Sequence, residues 1–94
     1  MTGDEDTGVR LDLFLTRTRL IMPRGMAKRA CDNGIVAVNG NRGKPATMVR
    51  VGDLVEIRFT DQDLTVCIER LPGKSVRKAD ARAHYRVIAD KRYL

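Results

Sequence analysis

The sequence predicts an α+β domain in which two short N-terminal helices are packed on a small antiparallel sheet and a helical tail follows. Three observations carry this reading. Leu11, Phe14 and Leu15 recur at i, i+3 and i+4, the stripe of an amphipathic helix. Asn39-Gly40 lies between apolar runs and is a strong short hairpin signal, because both residues tolerate positive φ. Val55, Ile57 and Phe59 alternate with Glu56 and Arg58, the period of a half-buried strand.

Each element follows in order. Residues 1–8 form a polar leader without periodicity, expected to be disordered. The first helix is expected from about Leu11 to Thr18, with Arg10, Arg17 and Arg19 left for solvent or a ligand, and Leu20 and Ile21 lead into a link closed by Pro23. Pro23 suits a first helical position, since it lacks an N–H that would go unpaired there. The second helix is expected from about Arg24 to Asp32, ending at Asn33-Gly34, where glycine supplies the left-handed residue of a common helix end. Helices this short are marginal alone and must be held by tertiary contacts.

Ile35 to Val38 reads as a strand entering the Asn39-Gly40 turn, and Asn41 to Pro45 as a basic loop whose Gly43 allows close backbone approach. Met48, Val49 and Val51 lead to a turn at Gly52-Asp53; the strand through Val55, Ile57 and Phe59 follows, then a turn at Asp61 to Asp63. Leu64, Val66 and Ile68 alternate in a further strand that Leu71-Pro72-Gly73 closes. From about Ser75 to Ala89, Ala79, Ala83 and Val87 stand at four-residue spacing, which predicts a helix. The expected organisation is a leader over 1–8, one domain over 9–71 and a helical extension over 72–94.

Composition narrows the function. At 94 residues the chain suits one domain and is too small for a binding unit plus a separate catalytic one. The formal net charge is +6; with Asp4, Glu5 and Asp6 of the leader set apart, eighteen cations face the nine remaining acids. A polyanion is the expected partner. Many of the cations fall in the helix pair and the loop after the hairpin, unlike a solvated face of mixed sign. No apolar run approaches the roughly 20 residues that span a bilayer, and the acidic start is unlike a signal peptide, so a cytoplasmic protein without membrane contact is expected. Cys31 and Cys67 read as small core residues, and the absence of a Cys-x-x-Cys pair predicts no zinc or other metal.

The candidate RNA-binding residues are Arg10, Arg17, Arg19, Arg24, Lys28, Arg29, Arg42 and Lys44. An Arg fork matches phosphate oxygens, and Arg24 stands at a helix N-terminus, where the partial positive charge favours an anion. Lys28 lies one turn further on the same face. An Arg10–Asp12 pair is set aside, because residues two apart on a helix face different ways, and Asp12 reads as favourable charge in a first helical turn. Aromatic residues make up 4% of the chain and Phe14 and Phe59 take core positions, so phosphates and RNA shape should dominate over base stacking. His84 is the only histidine and has no partnered nucleophile, so no catalytic residue and no cofactor is expected.

Taken together, Arg10-Leu11-Asp12, Arg24 with Ala27 and Lys28, Gly34-x-Val36-x-Val38-Asn39-Gly40 and Val51-Gly52-Asp53 resemble the S4 RNA-binding domain, or alpha-L motif. With the strand Leu64 to Ile68 and the segment through His84-Tyr85, the chain is similar to stand-alone bacterial S4 proteins of the ribosome quality-control RqcP type and the ribosome-associated heat-shock type. The resemblance implies binding of ribosomal RNA and tRNA on large subunits carrying obstructed peptidyl-tRNA, in support of alanine tailing directed by a quality-control partner factor. It also implies that Arg10, Arg24 and Lys28 face RNA. The sequence departs from the family at Leu13, Gly25, Met22 and Pro23, which are less polar or less basic than usual. S4 domains also precede catalytic domains in other proteins, and none is expected here in a chain of this length. A generic S4 module for RNA or DNA is the alternative, and a monomer is expected.

Overall fold

The computed structural model describes residues 8–74 and 76–93, so most of the expected leader lies outside the described residues. In chain order the elements are β1 (Val9–Arg10), α1 (Leu11–Arg17), α2 (Arg24–Asp32), β2 (Val36–Val38), β3 (Asn41–Arg42), β4 (Met48–Val49), β5 (Leu54–Phe59), β6 (Gln62–Ile68), a 3-10 segment (Lys78–His84) and β7 (Tyr85–Arg92). An antiparallel sheet of order β3-β2-β5-β6-β7 carries the helix pair, and β1 and β4 form a separate two-stranded ribbon.

The core forms where the apolar periods of helix and strand meet. Leu11, Phe14 and Leu15 of α1 and Ala27, Ala30 and Cys31 of α2 are buried together with Val36, Val55, Ile57, Val66 and Ile68 from the sheet. Phe59 departs from expectation by packing only partly against this core. Cys31 is buried as expected, whereas Cys67 is only partly so.

Both helices lack a side-chain N-cap and solve the problem differently. Leu11 and Asp12 donate their backbone N–H groups to the Thr47 and Pro45 carbonyls at 2.7 and 3.2 Å, so the loop after β3 caps α1. At α2 it is the carbonyl of Pro23 that accepts from Met26 and Ala27, at 2.9 and 3.2 Å. Pro23 has an extended ψ of −175° and is therefore the cap, one residue before the helical position expected for it. At the other end of α2, Ile35 N–H reaches the Ala30 carbonyl and Gly34 N–H the Cys31 carbonyl, the paired bonds of a Schellman ending.

Asn39 and Gly40 adopt φ of 51° and 85°, as the hairpin reading required. The expected basic loop is shorter than predicted, because Asn41 and Arg42 pair with Val38 and Ala37 as β3. Gly43 is also needed for another reason: it is buried, and a Cβ there would come 2.5 Å from Leu11 Cδ2 and 3.3 Å from Val38 Cγ2. Its small size lets the loop close on α1. Asp63, expected in a turn, is already within β6.

The expected C-terminal helix is replaced by the 3-10 segment and the eight-residue strand β7, which pairs antiparallel with β6. The four-residue spacing of Ala79, Ala83 and Val87 gives no common buried face; Ala81 and His84, three apart, are the buried pair, which is the 3-10 period. Without β7, β6 would be an unpaired edge, and the Tyr85-Arg86-Val87-Ile88 run suits a strand. The pairing steps from Thr65–Ala89 to Val66–Val87, leaving Ile88 as a bulge. His84 anchors the start of β7: its Nδ1 lies 3.1 Å from the Arg70 carbonyl, and its own carbonyl accepts the Glu69 and Arg70 N–H groups. These bonds and its burial give His84 a structural place in the fold.

Candidate nucleic-acid interface

Asp12 is the centre of the site. It sits in the first turn of α1, wholly buried, and draws together cations from two elements. Arg10 donates from Nε to Oδ1 and from Nη2 to Oδ2, both at 3.2 Å, and Arg24 donates from Nε to Oδ2 at 3.4 Å. The pairing set aside in the sequence thus forms. Arg10 is not in the helix; its φ of −60° and ψ of 143° are extended, so the helical rule for residues two apart does not govern it.

The carboxylate is buried, while the side chains of Arg10 and Arg24 stay 40% and 50% exposed. Burial by itself pushes the Asp12 carboxyl pKa up. The Arg10 hydrogen bond, the Arg10 and Arg24 charges and the Leu13 N–H outweigh that effect and hold it below the ordinary carboxylate value. One negative charge therefore holds two cations in place and leaves the pair with net positive charge toward solvent. Lys28 is exposed one turn beyond Arg24 on α2 and adds to the same edge.

The other candidate cations divide into two groups. Arg17 is partly buried and donates from Nη1 to the Pro72 carbonyl at 3.3 Å, fastening the end of α1 to the segment after β6. Arg42 donates to the Asp32 carbonyl and lies against Gly34, tying β3 to the end of α2. Arg19, Arg29 and Lys44 are exposed; Arg19 and Arg29 touch the Met22 and Met26 sulfurs at 3.8 and 3.9 Å. Among the described residues, no group of His, Cys, Asp or Glu is arranged to hold a metal, and no helix is long and apolar enough to cross a membrane.

The Asn39-Gly40 and Val51-Gly52-Asp53 motifs meet as one joint beside β5. Asn39 Nδ2 donates to Asp53 Oδ1 at 3.1 Å, Leu54 N–H donates to Asn39 Oδ1 at 2.9 Å, and Arg50 N–H donates to Asp53 Oδ2 at 2.9 Å. These bonds tie the two turns to the start of β5.

A helix pair on an antiparallel sheet, with guanidinium groups fixed at the helix starts by a buried acid, defines a small nucleic-acid-binding module. The chain belongs to the S4 domain family, whose model matches residues 9–55. It is 41% identical over 86 residues to the RQC P-site tRNA stabilizing factor of Listeria monocytogenes, covering 92% of each chain. It is 43% identical over 79 residues to the protein of the same name from Halalkalibacterium halodurans, covering 84% of this chain and 89% of that one. In structure it is similar to the trimeric Heat Shock Protein 15 of Vibrio cholerae, with a TM-score of 0.79 and 31% identity over 87% of this chain and 83% of the other.

Proposed function

We propose that this chain binds ribosomal RNA and tRNA on large ribosomal subunits carrying obstructed peptidyl-tRNA, and that it supports quality control and alanine tailing of stalled chains as a binding factor without catalysis of its own. The observation that carries this reading is the pair Arg10 and Arg24 held on one buried carboxylate, with both arginine side chains partly exposed. Paired planar donors at a helix start suit successive phosphate oxygens. The names of relatives aligned along nearly the whole chain point to tRNA as the ligand.

Arg10, Arg24 and Lys28 form the central contact in this proposal. Arg19, Arg29, Arg42 and Lys44 extend it, and Arg17 contributes through the end of α1 it fastens. The protein works in the cytoplasm, as a monomer, beside a quality-control partner factor, and its S4 unit spans 9–71 with the segment from 72 onward completing the sheet.

The test is sedimentation of lysate on a sucrose gradient. Wild type should travel with large subunits bearing peptidyl-tRNA, and an Arg10→Ala/Arg24→Ala variant should remain near the top. Wild type at the top would end the ribosomal reading. With about five phosphates neutralised, affinity for RNA should fall roughly 10²- to 10³-fold between about 50 and 200 mM salt. The second reading, a general S4 module, gains its support from the same basic edge; equal competition by duplex DNA and ribosomal RNA would favour it.

A further inference from the structure

A second cationic feature lies apart from the Asp12 pair. A cleft of about 730 Å³ opens between the link after α1 and the 3-10 segment, and its wall carries Arg19, Lys78, Arg82 and Tyr85. Neither Arg10, Asp12 nor Arg24 lines it. The volume is in the range of small-molecule sites.

The chemistry of the wall is one-sided. No carboxylate lines the cleft, and among the described residues none of Arg19, Lys78 and Arg82 is paired with an acid. Thr18 is on the wall too, but its hydroxyl is committed to the Phe14 carbonyl at 2.7 Å. What remains is three cations from two separate parts of the chain lining one cleft together with one aromatic residue. Arg19 is held there at φ 63°, a left-handed conformation that side-chain-bearing residues rarely adopt. Tyr85 lines the cleft and is partly buried against the core, which restrains its ring.

Cations that track a backbone beside an aromatic face are the chemistry of single-strand recognition, in which phosphates meet the charges and a base stacks on the ring. We propose that this cleft takes a nucleotide of single-stranded RNA, its phosphates between Arg19, Lys78 and Arg82 and its base on Tyr85. The proposal shares its ligand class and Arg19 with the ribosomal reading. It adds a contact made by the segment after the region matched by the family model.

The experiment uses the full chain and a fluorescein-labelled oligouridylate of about eight nucleotides, the scale of a single-strand site, read by anisotropy across a salt series. Lys78→Glu/Arg82→Glu should weaken binding about tenfold or more and lower the log–log salt slope by about 1.4, two phosphates at about 0.7 each. Tyr85→Leu should weaken it at least fivefold and Tyr85→Phe less than about twofold, since the phenyl ring still stacks. In an Arg10→Ala/Arg24→Ala background, which should lose large subunits on the gradient, the oligouridylate binding that remains should still depend on Lys78, Arg82 and Tyr85. Circular dichroism confirms that each variant is folded.

An unchanged affinity and slope in the Lys78/Arg82 variant overturns the proposal. Equal loss in Tyr85→Phe and Tyr85→Leu, or competition by duplex RNA as strong as by single strands, overturns it as well. If wild type sediments with large subunits but does not bind the oligonucleotide, this inference fails and the ribosomal reading stands.

Discussion

Asp12 and Arg24, twelve residues apart in sequence, meet at 3.4 Å, the carboxylate wholly buried and the guanidinium half in solvent. The contact ties the first turn of α1 to the first residue of α2, so a bond within the scaffold also sets the direction of a ligand-facing cation. Asp12→Asn keeps the shape and removes the charge. It should cost about 1.5–3 kcal/mol, the worth of hydrogen bonds to a charged group, and weaken RNA binding by freeing Arg10 and Arg24, measured by urea unfolding and by gradient sedimentation.

The same carboxylate sets an acid limb. Its pKa in the folded chain lies below its ordinary value, so its contribution to stability is complete above an unfolded value of about 3.9 and is lost as pH falls through the lower folded value. Thermal unfolding followed from neutral pH downward should show a drop below about pH 4 that is shallower in Asp12→Asn.

Two glycines should respond in opposite ways. Gly43→Ala puts a methyl group 2.5 Å from Leu11 Cδ2 and should destabilise by about 1–3 kcal/mol through overpacking. Gly25→Ala, in the first turn of α2, meets nothing within 4 Å and should stabilise by up to about 1 kcal/mol through helix propensity. Paired urea curves decide both, and equal effects would contradict the close approach at Gly43.

The two cysteines should separate by reactivity. Cys31 is buried, and burial first, then the Asp12 and Asp32 charges, push its thiol up to about 11. Cys67 is only partly buried. A disulfide reagent at neutral pH should modify Cys67 first, with Cys31 protected until the chain unfolds.

Removal of residues 85–94 tests the corrected C-terminus. It strips β7 from β6 and leaves a seven-residue strand with an open edge. The truncated chain should melt at lower temperature and self-associate in analytical ultracentrifugation. A truncated chain that matches the full one in both would mean that the β6–β7 pairing contributes little.

Much of the fold was legible because it depends on local signals. The i, i+3, i+4 stripe of Leu11, Phe14 and Leu15, the positive-φ pair Asn39-Gly40 and the alternation along Val55, Ile57 and Phe59 each need only a few neighbouring residues to be read. The C-terminal segment was misread because its alanine spacing favours a helix locally, while the open edge of β6 lies in another part of the chain.

The basic edge was legible as a list of cations but not as an arrangement. By itself the sequence determined the α+β class, the two helices, the glycine that ends the second one, the Asn39-Gly40 turn, the excess of positive charge and the presence of arginine at the helix starts. Tertiary structure alone decided that Asp12 is buried between Arg10 and Arg24, that Arg17 and Arg42 serve as fastenings, that Gly43 is needed by Leu11, and that β7 completes the sheet. The physical reason is that a period or a turn is a property of adjacent residues, whereas desolvation, ion pairing and edge closure depend on which distant groups the folded chain brings together.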